Sequence, residues 1–387
     1  MAEIKNLKKV AQRIKKAIEK KEKIILYGDA DLDGVSAVII LEETIKTLGG
    51  RISMIYFPDR EVEGYGISQV ALDFLKEKAP ALFIALDCGI GNFNEVKLAK
   101  KYGFEVIIID HHEVLDRLPQ ADIIVDPKQK TDNYPFKGLS TAGISFKLSQ
   151  FLLGDRLTKN LRKNFLELVA IATIADMMPQ EEENRIFIEE GLFSIENTWR
   201  PGLKAFFEIE PFQSFLNLNQ KISKIISILN IRDVKNRLPA SFRLLTTPSL
   251  SEAKEIIKEL LEKSKIRKEK IEKITKEVEK RITKKEEPII FEGGSTFELT
   301  LISSVASIIC QKYQKPTFLY KKMNQESQGT VRTPKGIDSI SLMKKCSKYP
   351  LTYGGHPQAS GFRIRNKDLE KFKKCLIKNY EEDNYLH

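Results

Sequence analysis

The sequence predicts an α/β protein that has a doubly wound parallel sheet, a long helical linker and a smaller C-terminal α/β domain. Through the first half of the chain, short apolar runs rich in Ile and Val alternate with amphipathic stretches, as in βαβ units. A stretch dense in Lys and Glu follows, and the composition changes again after Pro288. With 387 residues the chain exceeds what one core usually supports. We therefore expect a catalytic domain over 1–225, a helical linker over 226–287 and a second domain over 288–387.

The elements of the first domain follow from the periodicity of apolar residues. Val10, Ile14 and Ile18 recur at a four-residue spacing, which predicts an opening helix over 6–20. Buried strands are predicted at 23–27, 52–56, 81–86, 106–109 and 123–125, with helices at 35–48, 68–78 and 94–102 between them. From 140 to 174 the pattern is helical, and the stretch 249–287 predicts one helix roughly 50 Å long.

The smaller domain shows its own strand and helix pattern. We expect a strand at 289–291, a turn at Gly293-Gly294, a helix over 299–313 and a strand over 317–320. Two glycine-containing segments follow, at 329–332 and 354–361. This domain is therefore also predicted to be α/β.

Composition limits the classes of function. The net charge of +11 favours a polyanionic partner such as nucleic acid, although a solvated lysine-rich surface gives the same balance. The four cysteines show no CxxC spacing, which argues against a zinc ribbon or a disulfide framework and fits a reducing cytoplasm. No apolar run is long enough to span a membrane, and the N-terminus has no apolar signal core. Neither GxxxxGK[ST] nor a GxGxxG opening a helix occurs, so the common nucleotide-binding loops are absent from the sequence.

Acidic residues and histidines follow the predicted strands at the points where they end. Three acids follow the first strand, one follows the third, and an Asp-His-His triplet follows the fourth, namely Asp29, Asp31, Asp33, Asp87, Asp110, His111 and His112. Since the carboxyl ends of parallel strands meet at one edge of a sheet, we expect these side chains to lie together. Asp176, at the end of the helical segment, is a further candidate, because an acid at a helix C-terminus opposes the helix dipole unless a cation accompanies it.

So many carboxylates at one edge would raise each other's pKa values unless cations lay between them. Oxygen ligands together with imidazole favour Mn²⁺ or Mg²⁺ over a thiolate-bound metal. Two such ions about 3.5–4 Å apart, sharing a carboxylate, would activate water for phosphoester hydrolysis. For a single Asp-His pair, a structural strand end is the commoner interpretation, and here the repetition of the pattern favours a site.

These motifs resemble those of the DHH phosphoesterase superfamily, and the wider pattern is similar to its RecJ-like branch. The first four are Asp31-x-Asp33, Asp87, Asp110-His111-His112 and Asp176. Further matches lie at 28–34, 58–66, 87–90, 134–139, 142–148, 174–179, 183–185, 200–203 and 354–361. Each motif is short, and it is their number, order and spacing that make the resemblance specific.

The resemblance implies a site with two manganese ions, or magnesium in their place. Asp31 and Asp87 would hold one ion, and Asp33, Asp87, His111 and Asp176 the other, with Asp87 bridging. Many members of the superfamily have a histidine where this chain has Tyr27, a poor ligand at neutral pH, so Asp29 is expected to compensate directly or through water.

The resemblance also implies roles for residues around the ions. Asp110 would orient a histidine, and His112 would face the scissile phosphate, with structural support as its alternative role.

In the smaller domain, Arg332 and His356, with Gly354 and Gly355, would bind a neighbouring phosphate. Arg60 is a further candidate, although a loop arginine is as often a structural ion-pair partner.

The implied activity is a metal-dependent exonuclease that releases mononucleotides from single-stranded DNA or RNA, with a replication or repair protein as a possible partner. The chain ends soon after Gly361, so we expect it to lack the OB-type domain of bacterial RecJ enzymes and to hold long strands less well. The alternatives are a nano-RNase or nucleotide phosphatase of the same superfamily, and a partner protein of a replication complex. Intact metal-binding acids disfavour the last of these.

Overall fold

The computed structural model describes residues 3–60, 62–114, 117–214, 217–283 and 286–384, so Glu61 and His387 lie outside it. The chain divides into two compact units, Met1–Leu261 and Glu262–His387. The division falls within the 226–287 stretch that the sequence assigns to a helical linker. No helix among these described residues is long and apolar enough to cross a bilayer.

The first unit is built on a five-stranded parallel sheet. Its strands are β1 (Ile24–Gly28), β2 (Ile52–Tyr56), β3 (Ala81–Leu86), β4 (Phe104–Ile109) and β5 (Ile123–Val125). They lie in the order β2-β1-β3-β4-β5, and every neighbouring pair is parallel. The predicted parallel sheet is confirmed.

Helices connect these strands and follow them. They are α1 (Leu7–Glu19), α2 (Leu32–Thr47), α3 (Gln69–Leu75), α4 (Phe93–Lys101), α5 (Thr141–Leu153), α6 (Lys159–Ala175), α7 (Glu182–Ile195), α8 (Pro201–Phe207), α9 (Leu218–Leu229), α10 (Ala240–Thr246) and α11 (Leu250–Ile282). A two-residue pair, β6 (Val234–Lys235) and β7 (Leu238–Pro239), precedes α10. The long predicted helix is α11, and its last residues belong to the second unit.

Both faces of the sheet are covered, as a doubly wound fold requires. Leu26 of β1 packs in a core with residues of α1, α2, α5 and α6. Its neighbours Ile25 and Tyr27 point to the other face and pack with residues of α3 and α4. Side chains alternate between the two faces of a strand, so strands buried on both sides need the continuous apolar runs seen in the sequence.

One difference from the sequence-based boundaries affects the site. Helix α2 begins at Leu32, three residues before its predicted start, because Asp31 caps it by accepting a hydrogen bond from the Gly34 amide at 3.1 Å. Asp33 therefore lies in the first turn of α2 and not in a preceding loop. A negative charge in a first turn is stabilised by the helix dipole.

The second unit contains a smaller mixed sheet. Its further elements are β8 (Ile290–Gly294), α12 (Leu299–Tyr313), β9 (Thr317–Lys322), β10 (Glu326–Arg332), α13 (Ser339–Lys345), β11 (Pro350–His356), β12 (Ala359–Arg365) and α14 (Leu369–Asn384). The strand order is β11-β12-β10-β9-β8; β8 and β9 are parallel and the other pairs antiparallel. The smaller C-terminal α/β domain is thus confirmed.

The cysteines of this unit correct one expectation. Cys346, which follows α13, forms a disulfide with Cys375 of α14, whereas Cys88 and Cys310 are free and buried. The prediction that the cysteines form no disulfide is therefore wrong for this pair. Spacing rules detect cysteines that are close in sequence, but here 29 residues separate partners that helix packing brings together.

Candidate metal centre

The strand-end acids lie side by side because the backbone ladder continues past each strand. The Asp29 amide donates to the Leu86 carbonyl at 3.1 Å, and the Asp87 amide donates to the Ile109 carbonyl at 3.0 Å. The Asp110 amide continues the same pattern. Each acid is thus the first residue beyond its strand, and all three are buried at one edge of the sheet.

A second segment fixes the orientation of the acids from above this edge. Asp33 accepts hydrogen bonds from the Thr141 amide at 2.7 Å and the Ala142 amide at 2.9 Å, which are the first residues of α5. The Thr141 hydroxyl donates to Asp87 Oδ1 at 3.0 Å. Ser140 caps α5, so the free amides at its N-terminus are directed at Asp33.

His111 lies among three carboxylates. Its Nε2 is 3.3 Å from Asp87 Oδ1, 3.4 Å from Asp176 Oδ2 and 3.8 Å from Asp33 Oδ2. The residue is only 4% exposed, and neither ring nitrogen makes a hydrogen bond with a described residue. Burial, with repulsion from His112, lowers the pKa of His111 to about 4. A neutral imidazole surrounded by acids, with its nitrogens unsatisfied, has the state of a metal ligand.

Three groups of side chains could each hold an ion, since their ligand atoms lie within 4.8 Å of one another. They are Asp33 with His111 and Asp176, Asp29 with Asp31 and Asp87, and Asp87 with His111 and His112. Asp87 belongs to two of the groups, which is the placement a bridging carboxylate needs. Oxygen and imidazole donors without thiolate suit Mn²⁺ or Mg²⁺.

The electrostatics of the cluster also point to a cation. Burial and the neighbouring charges of Asp176 and Asp31 raise the pKa of Asp33 to about 7. For the same reasons, burial first, the pKa of Asp87 is well above its ordinary value and that of Asp176 is about 6. Without added positive charge, several of these groups would bind protons near neutral pH, and a divalent ion removes that need.

Asp110 and His112 form a separate pair beside the cluster. Asp110 Oδ1 lies 2.7 Å from His112 Nδ1, and Asp110 also accepts from the Ile90 amide at 3.0 Å. Burial opposes ionisation, but the bonds from His112 and the Ile90 amide lower the pKa of Asp110. The Tyr65 hydroxyl lies 3.2 Å from the His112 ring nitrogens. The partly exposed imidazole of His112 is therefore held by an acid on one side and a phenol on the other.

Arg60 is paired with the acids of the first motif. Its Nε donates to Asp29 Oδ1 at 2.7 Å, its Nη2 contacts Asp29 Oδ2, and Nη2 also donates to Asp31 at 2.9 Å. Of the two roles that the sequence left open, the structure shows the ion-pair contact. Beside it a cleft of about 430 Å³ is lined by the acids Asp31, Asp33 and Asp176 and by Arg60, Asn230 and Arg232.

Tyr27, at the position where many superfamily members carry histidine, faces away from the acids. It is fully buried among residues of α3 and α4, and its hydroxyl donates to the Gly66 carbonyl at 2.8 Å. The same hydroxyl accepts from the Ser68 amide at 3.3 Å. Tyr27 thus anchors the end of the loop that carries Arg60 and Tyr65.

In the second unit, the predicted phosphate binders lie on the two strands that flank β12. Arg332 of β10 and His356 of β11 are both opposite Ala359 of β12, so their backbones are two strand spacings apart, roughly 10 Å. Gly355 has a φ of 131°, and a Cβ there would lie 2.7 Å from the Ala359 carbonyl oxygen, whereas a Cβ at Gly354 would meet nothing.

Arg332 is half-buried rather than free. Its guanidinium donates to Ser303 Oγ at 2.5 Å and to Ser307 Oγ at 3.2 Å, both in α12. The side chain of His356 is exposed. An arginine ordered by hydroxyls next to an exposed imidazole can accept a phosphate group.

Three residues of the site carried no assigned role in the sequence analysis. Thr141 binds both Asp33 and Asp87, and Tyr65 binds His112. Asp126 is buried beyond β5, one of its oxygens has no described partner, and burial raises its pKa to about 7. The signal for Asp126 was present, because it follows the apolar run 123–125 as the other acids follow theirs. Nothing local distinguishes Thr141 or Tyr65.

The chain matches two family models in order along its length. Residues 23–173 match the DHH family N-terminal domain, and residues 288–382 match the DHHA1 domain. A single-stranded-DNA-specific exonuclease RecJ from Bacillus subtilis is 31% identical over 99% of this chain and 48% of its own length. The RecJ of Haemophilus influenzae is 28% identical over 92% of this chain and 66% of its own length.

A crystal structure of exonuclease RecJ bound to manganese superposes with a TM-score of 0.80 at 26% identity, covering 97% of this chain and 94% of that one. The RecJ of Thermus thermophilus in complex with Mn²⁺ has the same fold, with a TM-score of 0.78 at 24% identity over 98% of this chain and 55% of that one. The chain therefore carries a DHH family N-terminal domain and a DHHA1 domain. It is homologous to the RecJ single-strand-specific exonucleases, and it spans about half the length of the Bacillus relative.

Proposed function

We propose that this protein is a divalent-metal-dependent exonuclease that hydrolyses phosphodiester bonds of single-stranded DNA and releases mononucleotides. The observation that carries the proposal is the buried, unsatisfied imidazole of His111 among Asp33, Asp87 and Asp176. Relatives that share the fold include RecJ exonucleases, and two of their structures contain manganese.

The geometry supports two ligand sets. Asp33, His111 and Asp176 would hold one ion, and Asp31 and Asp87, with Asp29 nearby, the other. Asp87 would bridge the two, because it belongs to groups on both sides. When bound, the ions supply a water of lowered pKa and a positive clamp for the phosphate oxygens. Mn²⁺ is the proposed cofactor, and Mg²⁺ satisfies the same donors.

The chain's own residues would then orient and protect the reacting groups. Asp110 holds the His112 imidazole through Nδ1 and the Tyr65 hydroxyl lies 3.2 Å from Nε2, so that the oriented, partly exposed ring would face a phosphate oxygen. The raised pKa of His112, where Asp110 outweighs burial, favours the protonated form that can donate to that oxygen. Arg60 neutralises Asp29 and Asp31, so that a polyanion can approach this edge.

Substrate contacts in the second unit are proposed on similar grounds. Arg332 and His356, with the neighbouring Gly354 and Gly355, would bind a phosphate of the strand. Backbone phosphates are bound independently of base sequence, which suits an exonuclease.

RNA and short oligonucleotides offer the same phosphodiester to the site, so they are the alternative substrates. The proposal is tested by incubating the protein with Mn²⁺ or Mg²⁺ and end-labelled single-stranded DNA, single-stranded RNA and dinucleotides, and by reading product length. Mononucleotides released from long DNA support the proposal. Cleavage of dinucleotides alone would replace it with the nano-RNase alternative.

Two variants make the test specific to the cluster. His111→Gln keeps a side chain of similar length but removes the imidazole ligand, and it should abolish turnover. Asp155→Asn removes an exposed carboxylate between α5 and α6 and should leave turnover unchanged. Absence of turnover by the wild-type protein with either ion and any of the substrates would contradict the proposal.

A further inference from the structure

Met177 adopts a backbone conformation that helix ends usually give to glycine. Asp176 is the C-cap of α6, and Met177, directly after it, has a φ of 53°. The Met178 amide donates to the Thr173 carbonyl at 3.1 Å and the Met177 amide to the Ile174 carbonyl at 3.2 Å. These two bonds form a Schellman motif, whose left-handed position favours glycine because a Cβ is disfavoured there.

The side chain of Met177 does not stabilise the fold by packing. It is 89% exposed, so it adds almost no apolar burial to the core. At this φ, glycine would relieve the backbone without any loss of packing. Residues kept in sparsely populated conformations collect at functional sites. The combination of strain and exposure therefore indicates that the side chain itself is used.

Met177 lies at the rim of the acid cluster. The preceding residue, Asp176, places Oδ2 3.4 Å from His111 Nε2, and consecutive Cα atoms are about 3.8 Å apart. An exposed aromatic ring also adjoins the cluster, because Tyr65 is 54% exposed while its hydroxyl lies 3.3 Å from the Asp87 carbonyl oxygen. Exposed apolar surface thus borders a site whose other groups are charged.

We infer that Met177 is a positioning residue that packs against a nucleobase of the substrate beside the phosphate held at the acid cluster. This inference rests on the proposed function. Ions held by the carboxylates would bind the phosphate but would offer nothing to the base. A thioether is polarisable and packs against aromatic rings, and such contact with the face of a base does not depend on base identity. Met177 would therefore fix how the terminal nucleotide lies without selecting its sequence.

Variants of Met177 can separate the effect on folding stability from the effect on substrate binding. Met177→Gly removes the side chain and relieves the backbone, so the protein should be at least as stable as the wild type. Met177→Ala removes most of the side chain and keeps the strain, so it should not gain stability. If the side chain contacts substrate, both variants should lose the same contact.

Lys21 provides a matched control for the glycine substitution. It has a φ of 54°, and the Lys21 and Glu22 amides donate to the Ile18 and Ala17 carbonyls at 3.1 and 2.9 Å, which is the same Schellman motif at the end of α1. Lys21 is exposed and precedes β1, whereas the acid cluster follows the carboxyl end of that strand. Lys21→Gly should raise stability and leave substrate kinetics unchanged.

The experiment measures Mn²⁺-dependent hydrolysis of two end-labelled DNA strands that differ only in the nucleotide at the attacked end, which is either normal or abasic. We expect both Met177 variants to raise KM for the normal strand about two- to tenfold and to leave KM for the abasic strand unchanged. Thermal unfolding is followed on the same samples.

Equal effects on the two strands, or no effect on either, would overturn the inference while leaving the proposed function intact, because the wild type would still release mononucleotides. An effect of Lys21→Gly equal to that of Met177→Gly would also overturn it, since a backbone change would then suffice. Wild-type protein that hydrolyses neither strand would overturn the proposed function and this inference with it.

Discussion

Asp33→Asn should change the pH dependence of stability in the metal-free protein. Asp33 is fully buried, and its pKa rises from the ordinary 3.8 to about 7, so the folded state binds a proton that the unfolded state has lost over this range. Where the folded state binds more protons, stability falls as pH rises. The loss of folding stability caused by ionising Asp33 is therefore absent below about pH 4 and complete above about pH 7. At about 1.4 kcal/mol per pH unit, this loss reaches about 4 kcal/mol.

The variant removes this burden but also weakens a contact. Asn has one acceptor oxygen where Asp33 uses two, for the Thr141 and Ala142 amides, and an unsatisfied amide costs about 1–3 kcal/mol. That cost is independent of pH. The stability of the variant relative to the wild type should therefore rise by about 4 kcal/mol between pH 4 and pH 8, whatever its value at the start.

Urea unfolding in the presence of a chelator, at pH 4, 5, 6, 7 and 8, measures this difference. The comparison with the wild type is needed because His111, with a pKa lowered to about 4, contributes the opposite slope between pH 4 and its ordinary 6.5. In saturating Mn²⁺ the wild type should become more stable than the variant, since the wild type would bind an ion that the variant binds poorly. A difference that does not vary with pH would refute the burial and charge crowding on which this reasoning depends.

Three further results are expected from single changes. Asp87→Asn should abolish turnover and weaken Mn²⁺ binding in calorimetry. It should have little effect on the backbone, because Asn tolerates the φ of 63° at this position. Retained activity would exclude a bridging role. Tyr65→Phe removes the hydroxyl group that contacts His112 and should lower kcat about two- to tenfold without altering the affinity for Mn²⁺. A change in Mn²⁺ affinity instead would indicate that Tyr65 supports the metal ligands. Gly355→Ala should lower the unfolding temperature, because its Cβ would lie 2.7 Å from backbone atoms, whereas Gly354→Ala, which meets nothing, should not; equal effects of the two would argue against the strand register at this turn.

The sequence predicted most of the sheet because its signals are local. Apolar runs identified all five strands of the first unit, and β2, β3 and β5 have the predicted bounds. The acids at 29, 87 and 110 could be placed at one edge because a parallel sheet carries all its strand ends there. The predicted start of α2 was three residues too late. Asp31 was interpreted from the sequence only as a metal ligand, although its side chain also caps the helix.

The contacts that complete the site could not be predicted in this way, because they join segments far apart in the chain. Thr141 lies 108 residues from Asp33 and 54 from Asp87, yet its amide binds one and its hydroxyl the other. No periodicity or spacing encodes such a pairing. The disulfide between Cys346 and Cys375 was missed for the same reason.

Arg60 and Asp29 show how one such contact changes the interpretation of two residues together. Read separately, Asp29 resembles a ligand and Arg60 a phosphate binder, but the structure joins them in a bidentate pair that also reaches Asp31. Asp29 and Asp31 thus carry their own counterion. Among the described residues, no arginine or lysine forms an ion pair with Asp33 or Asp176 beside His111, and burial raises the pKa values of both carboxyl groups. A divalent ion beside His111 would therefore supply positive charge to carboxylates that have no paired arginine or lysine among the described residues.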